Sequence, residues 1–289
     1  MKNHYQNVKK IILEIFDNTE AQILNDYLIP CPYFELTKNP DILIGKSKFG
    51  GFPDLPKHIA YPNNSDIFKQ FLCQINLSDL SKIDTIFDLP KTGMLYFFVQ
   101  IFHFDENGEL SPIRITNRNQ IEIFYIEDIS KLNRVEYPDF YKDSAFCEYQ
   151  MTFAQNYNTL DLNDPLLPVK LDLDKYFLFK GKKNEYLGVK SSTNNLFSYP
   201  QAMSEETYCG WSEILYEYNY ETMKVGIYDF SKKMIQNESL ISIIEFSLPE
   251  EKLRDNDELA IEGVFNLGIK AVDLKAMNLN NIAFSFSPT

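Results

Sequence analysis

Two stretches of this 289-residue chain carry the same order of segments at nearly the same spacing, and this constrains the fold more than any other feature. In the first, Phe52-Pro53 is followed by FLCQINL, which contains Gln74, and then by GMLYFFV, which starts at Gly93. In the second, Tyr199-Pro200 is followed by SIIEFSL, which contains Glu245, and then by GVFNLGI, which starts at Gly263. Gln74 and Gly93 are 19 positions apart, and Glu245 and Gly263 are 18 apart. The aromatic-Pro pair and the strand are 21 positions apart in the first copy and 45 in the second, which puts an insertion near 205–235. Matched spacing favours a repeated unit over chance likeness between apolar strands. A doubled α+β unit would pack its halves about a pseudo-twofold axis and leave a groove between them.

Local patterns fill in the class. Aromatic residues reach 15%, with 23 Phe and 18 Tyr, which favours strands. Tyr5, Val8, Ile11, Ile12, Ile15 and Phe16 recur at helical spacing. A second helix is expected from Glu20 to Leu28, capped by Thr19 and stopped by Pro30. Beyond it, Phe71–Leu77, Met94–Phe104, Ile113–Thr116 and Ile121–Ile126 read as strands. Asp105-Glu106-Asn107-Gly108 reads as a hairpin turn joining Leu95–Phe104 to the strand after Glu109. The expected class is α+β and strand-rich, with mixed or antiparallel sheets from two related halves and an N-terminal helical segment. One domain spans 1–289: helices over 1–30, a first half over 40–132, a connection over 133–180 and a divergent second half over 185–289.

Asp79, Asp128, Asp229 and Asp273 each follow a strand-like stretch and precede an apolar residue. An Asp there accepts from orphan backbone N–H groups, so each is read as a helix cap rather than a catalytic acid.

The formal net charge is −13, from 28 basic and 41 acidic residues. Such a chain is repelled by phosphate backbones and anionic lipid, so neither nucleic acid nor a membrane surface is expected as a partner. Cys31, Cys73, Cys147 and Cys209 are too far apart for a C-x-x-C pair and read as buried reduced thiols. The N-terminus has no secretory apolar core, and the apolar runs reach about six residues where a span needs about 18. A cytoplasmic protein is expected. No nucleotide, zinc-protease, hydrolase or EF-hand motif occurs, so no catalytic residue, metal or cofactor is assigned. His4 lies near a terminus and His103 alternates within an aromatic strand, which leaves His58 as the histidine nearest a candidate site.

That candidate is the loop Gly50-Gly51-Phe52-Pro53-Asp54-Leu55-Pro56. The glycines allow close approach or positive φ, and the backbone N–H groups of such a loop can cradle an anion beside Lys46 and Lys48. The same residues also suit a tight crossover packed under aromatics. Gln74, on a strand, needs up to four hydrogen bonds and either pins a loop or meets a ligand. A second candidate is acidic. Residues 201–262 hold 14 Asp or Glu against 5 Lys or Arg. Glu205, Glu206, Glu213 and Glu217 flank Trp211, the only tryptophan, beside Tyr216, Tyr218 and Tyr220. The charge reads as a solvated face or as a docking surface for a basic protein, and Trp211 with its tyrosines as core or strand packing or as a recognition surface.

The run Ser47–Pro56, with Tyr61-Pro62, Phe71–Leu77, the segment Leu89, Pro90, Gly93, Leu95, Phe97, Phe98, and then Tyr125, Glu127 and Asp128, resembles the signature of the YwqG-like family, bacterial proteins of uncharacterised function. The resemblance covers about residues 44–132 in consistent order. In the second half Ser198 replaces a family Gly, Glu245 a Gln, and Ala260-Ile261-Glu262 a Trp-Gly-Asp, while Gly263 and Asp273-Leu274 fit. The resemblance implies a mixed α+β fold of two related halves and no established activity. The leading expectation is a non-enzymatic interaction protein with an acidic docking face, of the kind immunity proteins present to basic toxins. The alternative is a ligand-binding module or enzyme with its site at Lys48, Gly50, Gly51, His58 and Gln74. The oligomeric state is not legible.

Overall fold

A computed structural model describes residues 2–64, 67–104, 110–112, 115, 117–191, 193–201, 204–216, 239–247 and 263–288. Two helices, α1 (Lys2–Ile15) and α2 (Asn18–Asp26), lead into β1 (Ile29–Lys38). Short strands β2 (Lys48–Phe49), β3 (Asp54–Pro56), β4 (Asn63–Asn64) and β5 (Ile67–Phe68) precede β6 (Gln70–Asn76), β7 (Met94–Val99), β8 (Phe102–Phe104), β9 (Leu110–Pro112), β10 (Ile121–Ile126) and β11 (Leu132–Arg134). Then come β12 (Tyr149–Asn158), α3 (Leu173–Leu187), β13 (Asn195–Ser198), α4 (Ser204–Tyr216), β14 (Leu240–Ser247), β15 (Gly263–Lys270), α5 (Ala271–Lys275) and β16 (Ile282–Pro288).

Ten of these strands form one sheet in the order β10-β7-β6-β2-β12-β1-β13-β14-β15-β16. Its described pairings are antiparallel, and it curls into a nearly closed barrel whose edge strands β10 and β16 approach each other. Arg118 fastens that seam, donating to Leu215 O at 2.6 Å and to Asn281 Oδ1 at 3.0 Å. A cavity of about 100 Å³ lies along the seam, lined by Arg118, Glu122 and Asn280 among others.

The middle of the sheet is the pair β1 and β12, matched over their full lengths from Ile29↔Asn158 to Lys38↔Tyr149. Sequence patterns pass over both strands. Pro30 and Pro32 make β1 read as a helix stop, yet both lie inside it. The Phe34 N–H donates to Asn194 O, so even-numbered nitrogens of β1 face β13, which it meets only at Tyr33↔Asn195. The prolines therefore remove no bond from the β12 ladder. The segment expected as a connection over 133–180 contains all of β12 and the first half of α3.

Outward from this pair the sheet reads alike on both sides. Lys48↔Gln74 and Gln74↔Tyr96 align β2, β6 and β7, while Asn195↔Glu245 and Glu245↔Asn266 align β13, β14 and β15. A register shift lies between Phe71 and Cys73 on one side and between Ser242 and Ile244 on the other, at the same distance from Gln74 and Glu245. Gly93 and Gly263 each precede or open the next strand, three residues before Tyr96 and Asn266.

Several local expectations need correcting. Asp17, not Thr19, caps α2: its carboxylate accepts from Thr19 N and Glu20 N, and Glu20 reciprocates. The long strand expected to Phe104 breaks after Val99. β7 pairs with β10 and β6, and only Phe102–Phe104 pairs with β9. The Asp105–Gly108 turn and most of 113–116 lie outside the described residues. Asp79, Asp128 and Asp273 are not helix caps either. Asn76 caps the 3-10 turn Leu77–Leu80, while Asp79 within it accepts from Ser47 Oγ at 2.7 Å. Asp128 accepts from Ser130 N with no helix following, and Asp273 sits inside α5 and accepts from Asn278. Asp229 is outside the described residues.

Three apolar clusters surround the sheet. The largest joins both halves, from Phe49, Phe97 and Val99 to Ile243, Phe265 and Leu267. Leu55, Phe71, Tyr96, Phe98 and Tyr137 cover the outer side of β6 and β7. Helices α1, α2 and α3 pack Val8, Ile12, Leu24 and Phe179 with Tyr157. Helix α4 lies on the second half, with Trp211 against Gly268, where an added Cβ would stand 2.3 Å from the indole. We predict that Gly268→Ala forces α4 outward, costs about 1–3 kcal/mol and lowers the melting temperature. Because Trp211 is the only tryptophan, its emission should shift to the red; unchanged melting and emission would contradict this contact.

Candidate functional site

The Gly-Gly-Phe-Pro loop leaves the short strand β2 and turns under the sheet into β3. Gly50 and Gly51 hold φ of +66° and +65°. A Cβ on Gly50 would lie 2.1 Å from Cys147 O, so the backbone approach demands glycine. Their N–H groups are already committed, Gly50 to Leu72 O and Gly51 to Phe146 O, each at 2.8 Å.

Beneath the loop lies a buried charge cluster. Lys48 is fully buried, with Nζ 2.6 Å from Glu148 Oε1 and 3.7 Å from Asp54 Oδ1, and it also donates to Phe52 O. Arg134 Nε meets Asp54 Oδ1 at 3.0 Å, and its other nitrogens reach Glu148 and Ile42 O. Two cations thus face two carboxylates. Burial pushes the Lys48 pKa down, opposed by Asp54 and Glu148. Gln74 completes the cluster: Oε1 accepts from Asp54 N at 2.8 Å, and Nε2 donates to Asp54 Oδ2 at 2.8 Å and Lys46 O at 2.9 Å. Gly45 N donates to Asp54 Oδ2 as well. Lys48, Gly50, Gly51 and Gln74 are therefore brought together, whereas His58 is exposed on the turn after β3, near Asp128. Sequence reasoning named neither Glu148 nor Arg134. Both arrive from more than 75 residues away, Arg134 at the end of β11 and Glu148 just before β12.

A second polar cluster lies around β14, on the other side of the β1–β12 pair. Glu245 is fully buried and accepts from Gln201 N with both oxygens at 2.9 Å. Lys180 donates to Gln201 Oε1. Lys183, buried on α3, donates to Asn158 Oδ1 and Tyr157 O at 3.0 Å and Asn156 Oδ1 at 3.2 Å. Tyr176 and Tyr208 donate to Asp161 and Asp164. Burial pushes Asp164 up to about 7, and burial together with Lys180 pushes Lys183 down to about 7. Burial raises the Cys31 thiol to about 12, so it is inert. The helical period of Tyr176, Phe179 and Lys183 was the available signal for this cluster.

The acidic candidate divides differently. Glu206 is exposed, Glu205 and Glu213 are half-buried, and Glu217 lies outside the described residues with most of 201–262. Trp211 belongs to the core, as the packing alternative has it, and is not available as a partner-binding residue: it is fully buried, stacked edge-on with Tyr208, and donates to Asn266 O. Among the described residues, no group of three or more His, Cys, Asp or Glu is placed to hold a metal ion, and no helix is long and apolar enough to cross a membrane.

The family described as a domain of unknown function, DUF1963, matches residues 47–287. The chain belongs to this family. The DUF1963 match begins at Ser47, beside the buried Lys48, and takes in both polar clusters; the YwqG-like resemblance is consistent with it. No curated protein matches the chain.

For this DUF1963 chain the buried groups set opposite pH slopes. Asp164 binds a proton more tightly folded than unfolded, so its contribution to stability falls as pH rises from about 4 to 7. Lys183 binds its proton less tightly folded, so stability rises as pH climbs from about 7 to 10.5. Each slope is at most about 1.4 kcal/mol per pH unit. Denaturant titrations across pH should show Asp164→Asn flattening the acid arm and Lys183→Met the alkaline arm, and unchanged arms would refute the assignment.

Proposed function

We propose that this protein is a binding scaffold that engages a basic protein partner through its acidic surface, and that it carries no reaction of its own. What supports the reading is the state of the loop cluster. Lys48, Asp54, Arg134, Glu148 and Gln74 satisfy one another, and the glycine amides are spent inside the fold. A buried, balanced ion cluster of this kind is architecture with little left over for a ligand. The net charge of −13 is then the property available for recognition at the surface, where it speeds and selects encounters with a cationic partner. Immobilised protein should retain a basic protein from lysate of its source cells at low salt and release it at high salt. Glu205→Lys with Glu206→Lys should weaken that retention. A column that holds nothing at low salt would sink the reading.

We also infer that the scaffold is a duplicated unit whose first strands are exchanged. Counted by sequence, β1 opens one copy and β12 the next, yet β12 pairs with β2 and β1 with β13. The registers Tyr33↔Asn195 and Gln150↔Lys48 interchange under a dyad through the β1–β12 pair, and so do Tyr33↔Ala154 and Thr37↔Gln150. The loop-to-strand bond recurs as well: Gln74 holds Asp54 N and Glu245 holds Gln201 N, each one residue past the proline. The acid has merely changed sides, Asp on the loop with Gln on the strand in one half, Gln on the loop with Glu on the strand in the other. Equivalence predicts unequal tolerance. Glu245→Gln keeps an acceptor for Gln201 N and should cost no more than about 1.5 kcal/mol. Gln74→Glu sets a second carboxylate against Asp54 and should cost about 3 kcal/mol or more at neutral pH. Equal losses in chemical denaturation would argue against equivalent halves.

A further inference from the structure

Helix α3 is apolar on two faces. Tyr176, Phe179 and Lys183 are buried against the sheet and α1, whereas Phe177 and Leu178 on the opposite side are 62% and 51% exposed. A surface helix ordinarily turns a polar face to water, and large apolar side chains clustered there mark a contact surface. The outward face also has the shape of a helix receptor. Asp174, Phe177, Leu178 and Gly181 stand at i, i+3, i+4 and i+7, the four positions that bound a hole for a knob from a facing helix. Gly181 is exposed in the helix interior, where glycine is unfavourable, and nothing lies within 4 Å of the place its Cβ would take.

Charge selects the occupant. Asp172 and Asp174 mark the start of α3, and Lys182 lies toward its end. Asp174, Lys182, Lys170 and Glu185 are all exposed. The other cations of the helix are turned away, Lys175 to Glu20 and Lys180 to Gln201. An antiparallel copy of α3 centred between Phe177 and Leu178 therefore brings Asp174 to Lys182 of the partner subunit, once at each end of the contact. It also points Phe177 of each chain at the hole beside Gly181 of the other. Such a contact is isologous and closes with twofold symmetry, and it sets the two helix dipoles antiparallel.

We propose that α3 is a self-association face on which a second copy of this chain docks its own α3, antiparallel, through Phe177, Leu178 and Gly181. The contact is a single helix pair, at the small end of specific interfaces, so the dimer is weak and concentration-dependent. Salt that screens the repulsion between two acidic chains strengthens it, opposite to the salt response of a basic partner.

Sedimentation velocity on the full chain, from low to high micromolar in moderate salt, tests this. The wild type should pass from one-chain to two-chain mass. Phe177→Asp should raise the dissociation constant about tenfold or more with no loss of melting temperature, because the side chain is exposed. Gly181→Leu should fill the hole and weaken the dimer equally while raising the melting temperature. Asp174→Lys should weaken it, and adding Lys182→Asp in the same chain should restore it. A one-chain mass at every concentration overturns the proposal, as does a dimer indifferent to Phe177→Asp and Gly181→Leu. A monomer whose Phe177→Asp variant loses a different protein also overturns it, because the face then serves another occupant.

Discussion

The ladder between β1 and β12 carries the molecule. These two ten-residue strands pair along their whole length, and the other strands of the main sheet are added outward from them. The same ladder delivers the ends of the polar clusters. Glu148, just before β12, neutralises Lys48 and Arg134 on one side. Asn156 and Asn158, at the far end of the strand, hold Lys183 on the other. Cutting or shifting that strand would strand a buried lysine at each end, and an unpaired buried charge is among the costliest defects a fold can carry.

The two clusters solve one problem with different means. Each must hold the backbone N–H after an aromatic-Pro turn against a strand. The first uses a neutral amide and hands the charge to Asp54, which then needs Lys48 and Arg134. The second uses the carboxylate of Glu245 itself, backed by Lys180 more loosely. Lys183, beside it, has amide and carbonyl oxygens as its hydrogen-bond partners. Asp164 and Lys183, the two groups that burial moves to about 7, both lie beside this second cluster.

What the sequence disclosed follows from how local each signal is. The helical period of α1 and the strands β6, β7 and β10 are written in consecutive residues and were legible. The matched spacings pointed to Gln74 and Glu245, which pair with Lys48 of β2 and Asn195 of β13. The central strands were hidden: prolines punctuate β1, and β12 reads as polar because Gln150, Thr152, Gln155 and Asn156 alternate with its apolar residues. The partners of Lys48 were equally hidden, because Glu148 meets it across the sheet rather than along the chain. Trp211 could be read as packing or as recognition, because a lone tryptophan beside tyrosines is ambiguous until Gly268 is seen making room for it.

The distance along the chain between β1 and β12 also dictates an order of assembly. β1 leaves the ribosome well before its main partner, which follows more than a hundred residues later. Until then its backbone has no ladder, and a strand in that state invites pairing with other nascent chains. Helices α1 and α2 gain their burial partly from Tyr157 and Phe179, so they cannot shelter it sooner. The high sequence separation of this ladder makes its closure a slow, late event in folding.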